Sequence, residues 1–104
     1  MRPERRLSAR IAAPYPVRLW SVDYIGQKFK EDTLVGNLSG GGLYLRLMRK
    51  LVEGTRVSLA VRLSITPPVT PALRLAGRGT VVRVEPQPDG QYGIAIQFIK
   101  RRVL

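Results

Sequence analysis

Arg56-Val57-Ser58-Leu59-Ala60-Val61-Arg62-Leu63 is the stretch that decides the fold. Val57, Leu59, Val61 and Leu63 alternate with Arg56, Ser58, Ala60 and Arg62, and Ser64 continues the polar set. Successive side chains of an extended chain point to opposite faces, so this period of two predicts a strand with one buried face. The same reading extends outward. Leu43, Leu45 and Leu47 alternate with Tyr44, Arg46 and Met48, and Ile94, Ile96 and Phe98 with Ala95, Gln97 and Ile99. Val17-Arg18-Leu19-Trp20-Ser21-Val22 predicts a strand between Pro16 and Asp23, and Leu34-Val35 a short one before the glycines that follow. Residues 72–85 predict a long strand through Leu73, Leu75, Val81, Val82 and Val84, interrupted at Gly77 and Gly79, where a bulge or bend is expected.

Turn residues separate these runs. Gly26, Gly36, Gly40-Gly41-Gly42, Gly54, Pro67-Pro68 and Pro86-Gln87-Pro88-Asp89-Gly90 all lie between them. Asp89-Gly90 between two strands is a hairpin signal. No segment has a clear 3.6-residue period, and residues 49–54 leave room for one short turn. About six short strands with no helix predict an all-β antiparallel barrel, because closure removes the exposed edges. Residues 1–12 form an Arg-rich arm, interrupted by Pro3, and residues 13–104 form the barrel domain.

The chain has 104 residues, enough for one modest core. Eighteen Lys+Arg stand against seven Asp+Glu, for a net charge of +11. Fourteen of the cations are Arg, whose planar fork suits phosphate, carboxylate or the guanine edge. There is no Cys and no His, which excludes disulfides, Cys/His metal sites, the common general base and the thiolate nucleophile. Of the acids only Glu31-Asp32 are adjacent, and neighbours on an extended chain face opposite ways. A binding protein is expected rather than an enzyme, with no metal. No apolar run approaches the roughly 20 residues of a membrane span, and the charged first thirteen residues hold no hydrophobic stretch of signal-peptide length, so a cytoplasmic protein is expected.

Two segments carry the binding chemistry. Asn37-Leu38-Ser39-Gly40-Gly41-Gly42 must contain a turn. Three consecutive glycines also strip it of Cβ atoms, so that backbone N–H groups can meet a flat or anionic ligand. Asn37 adds an amide and Ser39 a hydroxyl. Upstream, Arg5, Arg6 and Arg10 sit on the arm, the last two four apart. Such residues suit a solvated tail equally with a clamp on phosphates or guanine edges.

Taken together, Glu4-Arg5-Arg6-Leu7-Ser8-Ala9-Arg10 and Asn37-Leu38-Ser39-Gly40-Gly41-Gly42 resemble the two motifs of the PilZ domain family, bacterial receptors for the second messenger cyclic di-GMP. The resemblance covers nearly the whole chain. It implies a six-stranded antiparallel barrel with the arginine arm before the first strand and the second motif at the start of the third. It implies that Arg6 and Arg10 contact guanine edges and phosphates, with Arg5 adding a further contact. Asn37 would bond the guanine edge, Ser39 the ligand or the loop, and Gly40, Gly41 and Gly42 would let the base approach. Asn37 stands where Asp is commoner and loses a charge-assisted bond, which bears on affinity. Arg83 stands where many relatives carry an aromatic residue near the ligand; it either stacks on guanine or simply points outward. Members with paired arginines before the three-residue gap often bind two intercalated ligand molecules, so one or two are expected here. No further cofactor is implied.

The family commonly continues into a C-terminal helix, whereas here Phe98-Ile99-Lys100-Arg101-Arg102-Val103-Leu104 leaves space for about a turn, and Ile99 to Arg102 is expected to be a solvated tail, with contact to an anionic partner as the alternative. A partner or a second copy of the chain, in a homodimer, would then cover what the helix covers elsewhere. The resemblance implies a shape change on binding and an effector protein in motility, adhesion, exopolysaccharide or virulence control, since a chain of this length is expected to carry no output module. Trp20 and Tyr44 are expected to pack rather than to bind. Two other readings stay open. One is a barrel that binds single-stranded nucleic acid, which would spread aromatic and basic residues along one strand face, whereas the glycines and arginines here converge on two segments. The other is a PilZ-like adaptor that binds no nucleotide.

Overall fold

The computed structural model describes residues 15–63 and 73–103. The arm, with Arg5, Arg6 and Arg10, and the Pro67 to Pro71 loop lie outside the described residues. Six strands form: β1 (Tyr15–Val22), β2 (Lys28–Leu38), β3 (Gly42–Leu47), β4 (Arg56–Leu63), β5 (Leu73–Pro86) and β6 (Tyr92–Val103). All pairings are antiparallel. The order β1-β2-β3-β6-β5-β4 closes on itself through β1 and β4, with Val17 opposite Val61 and Leu19 opposite Leu59. This is the six-stranded antiparallel barrel expected of the alternation.

Closure buries the inward set. Leu19, Leu45, Leu47, Leu59, Val35, Val61, Val81 and Ile94 fill the interior, and Leu51, between β3 and β4, joins them. Each such leucine contributes about 1.5–3 kcal/mol relative to exposure. Among the described residues no helix is long and apolar enough to cross a membrane.

Two expectations about strand extent are corrected. β2 is an eleven-residue strand rather than a short Leu34-Val35 piece. Its inward positions include Glu31 and Thr33, which hide the period. Both serve the end of β3: the Met48 N–H donates to Glu31 Oε2 at 2.8 Å, and Thr33 Oγ1 donates to the Arg46 carbonyl at 2.8 Å. The segment Ile99 to Arg102 is no tail either. It belongs to β6 and pairs with β5, Lys100 opposite Arg78 and Val103 opposite Leu75. No local apolar pattern marks it, because every residue from Ile99 to Val103 is exposed.

The interruption in β5 is a pair of bulges, between Arg78 and Gly79 and between Val81 and Arg83. Gly79 is required there by close approach. A Cβ at this position would lie 2.6 Å from both the Gln97 carbonyl oxygen and Ile96 Cγ2. Asp89-Gly90 turns the β5–β6 hairpin as expected, with the Gly90 N–H donating to the Gln87 carbonyl. The short turn for which residues 49–54 leave room lies at 52–55, with Thr55 donating to the Val52 carbonyl.

Asp23 ties the β1–β2 turn to the β3–β4 connection. Its side chain is only 6% exposed, and its carboxylate accepts from the Ile25 and Gln27 N–H groups and from Arg49 at 3.0 Å. Arg49 also lies over the Phe29 ring. Burial alone pushes the Asp23 carboxyl up, but the Gln27 and Ile25 N–H groups and the Arg49 guanidinium outweigh it and hold the group below its ordinary value. A carboxyl with a lowered folded-state pKa contributes stability that is complete above its unfolded value, about 3.9, and is lost as pH falls through the folded value. Urea midpoints measured from pH 5 downward should therefore fall more steeply for wild type than for Asp23→Asn below about pH 4, and parallel curves would refute the role of this carboxylate.

Candidate functional site

The second motif connects β2 to β3. Leu38 ends β2 opposite Leu43, and Ser39 to Gly41 make a bend between them. The Ser39 N–H donates to the Gly42 carbonyl at 2.9 Å, and its hydroxyl points at the same oxygen at 3.3 Å. The Gly41 carbonyl accepts from the Phe98 N–H at 2.9 Å, which fastens the bend to β6. Ser39 thus closes the loop.

The three glycines serve different ends. None has a positive φ; among the described residues that conformation belongs to Gly26, Gly54 and Gly90. The tolerance of left-handed angles is therefore not what selects glycine here. Gly42 is a packing requirement, since a Cβ on it would strike the Ile96 carbonyl oxygen across the β3–β6 pair. Gly41 faces open space, with nothing within 4 Å of a Cβ, and the nearest atom to one on Gly40 is Arg101 Nη2 at 3.9 Å. Gly40 and Gly41 are both exposed. They leave a bare stretch of backbone on the outer surface with a guanidinium at its edge, an arrangement suited to an anion or a flat ring.

The sheet beside the loop extends this surface. Asn37 is opposite Tyr44, Tyr44 opposite Ala95, and Ala95 opposite Arg83, a row of roughly 14 Å on the outside of the barrel. Tyr44 covers Gly93, and its hydroxyl meets Glu85 Oε1 at 3.3 Å. Arg83 points outward and pairs with Glu85, Nε to Oε2, at 2.7 Å. Asn37, Ser39, Gly40, Gly41 and Gly42 therefore lie together, and Arg83 shares their face three strands away, with Glu85 as its partner.

The sequence places Arg101 in the basic run Ile99 to Arg102 and not at the glycine loop. It reaches the loop because β6 runs on past Gln97, which is opposite Gly42, and its guanidinium lies over the Phe98 ring at 5.8 Å. The signal for it in the sequence is the run Lys100-Arg101-Arg102 directly after an alternating strand. Trp20 does not sit in the core; it stands 42% exposed on the outside of β1.

A family model for the PilZ domain matches residues 4–103. The chain belongs to the PilZ domain family. Among solved structures it is similar to the Bacillus subtilis inhibitor of motility, MotI/DgrA, with a TM-score of 0.67 and 18% sequence identity. That match covers 88% of this chain and 41% of MotI/DgrA, so the chain spans less than half the length of that protein. At this identity the likeness is one of fold. A search of curated proteins finds no match.

The different surroundings of the glycines predict unequal effects of the same substitution. Gly41→Ala should leave the urea-unfolding free energy within about 0.5 kcal/mol of wild type. Gly42→Ala should lower it by about 1–3 kcal/mol, because backbone must move. Equal effects would show that the loop glycines are not divided in this way.

Proposed function

We propose that this chain is a receptor for cyclic di-GMP that changes shape on binding and signals to a partner protein. The observation that carries the reading is the bare Gly40-Gly41 backbone on the outer surface, bordered by Arg101, in a family match that starts at residue 4 and so includes the arginine motif. Arg6 and Arg10 hold guanine edges and phosphates, and Arg5 adds a further contact. Asn37 bonds a guanine edge, Ser39 keeps the loop closed against the ligand, and Arg83 borders the far side of the surface. Arg101 supplies a cation on the barrel itself. One molecule or an intercalated pair is held. The arm wraps the nucleotide, and the remodelled surface meets or releases an effector, with motility the first output to examine because MotI/DgrA is an inhibitor of motility. The role is that of a binding and adaptor domain rather than an enzyme, acting in the cytoplasm.

Calorimetry tests this. Wild type should saturate with cyclic di-GMP at tens of micromolar or below, and should not bind GTP comparably. Arg6→Ala and Arg10→Ala should each lose on the order of 1.5–3 kcal/mol, since each removes a charged hydrogen-bonding group. Arg101→Ala should lose about 1 kcal/mol. No saturable heat from wild type would exclude the reading, and loss of binding in none of the arginine variants would exclude the assignment of the site.

A further inference from the structure

A second basic surface lies outside the site described above. Strand pairing aligns Lys30, Trp20, Ser58, Arg78 and Lys100 in one row across β2, β1, β4, β5 and β6. All five side chains are exposed. At the spacing of paired strands the row is roughly 19 Å long. A parallel row, two residues further along each strand, holds Asp32, Arg18, Ala60, Ala76 and Arg102. Arg62 opposite Arg74, and Arg56 opposite Thr80, add cations on either side.

The face is concave on both sides of Trp20. A depression of about 440 Å³ is lined by Trp20, Arg18, Ala60, Arg62 and Arg74. Another of about 860 Å³ is lined by Trp20, Arg56, Ser58, Arg78 and Lys100. Small side chains therefore form a floor, cations form the rims, and one indole stands between. Among the described residues the only carboxylate on this face is Asp32, and Arg18 occupies it with two bonds, of 2.7 and 3.1 Å.

We propose that this face binds single-stranded nucleic acid, independently of the nucleotide site at Asn37 to Gly42. Charged residues are depleted from the centre of protein–protein interfaces, whereas here Arg78 and Arg18 flank the centre, and Trp20 is the one exposed aromatic side chain of the face, with Ile99 beside it. Interfaces for nucleic acid are much more positively charged. Sequence-tolerant single-strand sites combine a cationic groove with an aromatic platform on which bases stack. Trp20 with its two flanking depressions has that form: bases stack on the indole while phosphates lie along the arginine and lysine rims. The face is built from residues 18 to 102, so it has no counterpart as a sequence motif.

Trp20 is the chain's one tryptophan, so its fluorescence reports on this face alone. An oligothymidylate or oligouridylate of about 15 nucleotides should quench it saturably, with affinity falling steeply between about 50 and 200 mM salt. By fluorescence anisotropy of the labelled oligonucleotide, Trp20→Ala should weaken binding on the order of 10–100-fold and Trp20→Phe should retain most of it. Arg78→Glu should weaken binding strongly, and Arg46→Glu, exposed on β3 with the same change in net charge, should not. The proposal is overturned if the oligonucleotide leaves Trp20 emission unchanged, or if Arg46→Glu weakens binding as much as Arg78→Glu. It is likewise overturned if poly-glutamate of matched charge binds as tightly with the same loss in Trp20→Ala, which would assign the face to an acidic polypeptide.

Discussion

Strand β6 is hydrogen-bonded along both edges, to β3 from Gly42 to Leu47 and to β5 from Leu75 to Pro86 and beyond the bulges. That double ladder sets where both outer surfaces lie. On one side it holds the β2–β3 bend in place through the Phe98 N–H and the Gly41 carbonyl. On the other it depends on β5 approaching so closely that Gly79 has no room for a Cβ. Two bulges in the pair shift the register, and β6 then continues to Val103 with every side chain exposed. A strand with so little to bury is kept by backbone bonds to β5 rather than by packing, and it carries Lys100, Arg101 and Arg102 to three neighbouring positions.

The fold thereby sorts a large excess of positive charge. Arg101 goes to the glycine bend, while Lys100 and Arg102 go to the rows around Trp20. The few carboxylates are mostly engaged: Asp23 with Arg49, Asp32 with Arg18, Glu85 with Arg83, and Glu31 with the Met48 N–H. The exposed pairs among these contribute little stability, of the order of 0–1 kcal/mol each. Their larger effect is on the local field, since they leave the remaining arginines to attract anions. At the bend this field meets bare backbone, an arrangement that suits the small anionic nucleotide proposed above. Around Trp20 it extends along whole rows, a geometry that suits a polymer.

How much of this was legible follows the apolar alternation. Arg56 to Leu63 reads as a strand at once, because its inward residues are all apolar and no function interrupts them. β2 hid its first half because Glu31 and Thr33 spend inward positions on bonding the end of β3. The end of β6 hid because both of its faces are wet. The candidate loop was legible as Asn37 to Gly42, yet the separate reasons for Gly40, Gly41 and Gly42 were not, since they depend on what β6 places behind each. Arg101 and the rows around Trp20 arise from strand register after two bulges, which no local pattern encodes.

The account turns on a cyclic dinucleotide resting against the Gly40-Gly41 backbone. Backbone amide shifts of uniformly ¹⁵N-labelled protein, followed through a titration with cyclic di-GMP, test this most directly. The account predicts saturable shifts concentrated at Asn37 to Gly42, at Phe98 to Arg101 and at Arg5 to Arg10. Absence of saturable shifts, or shifts centred on Trp20, Ser58 and Arg78 instead, would contradict it.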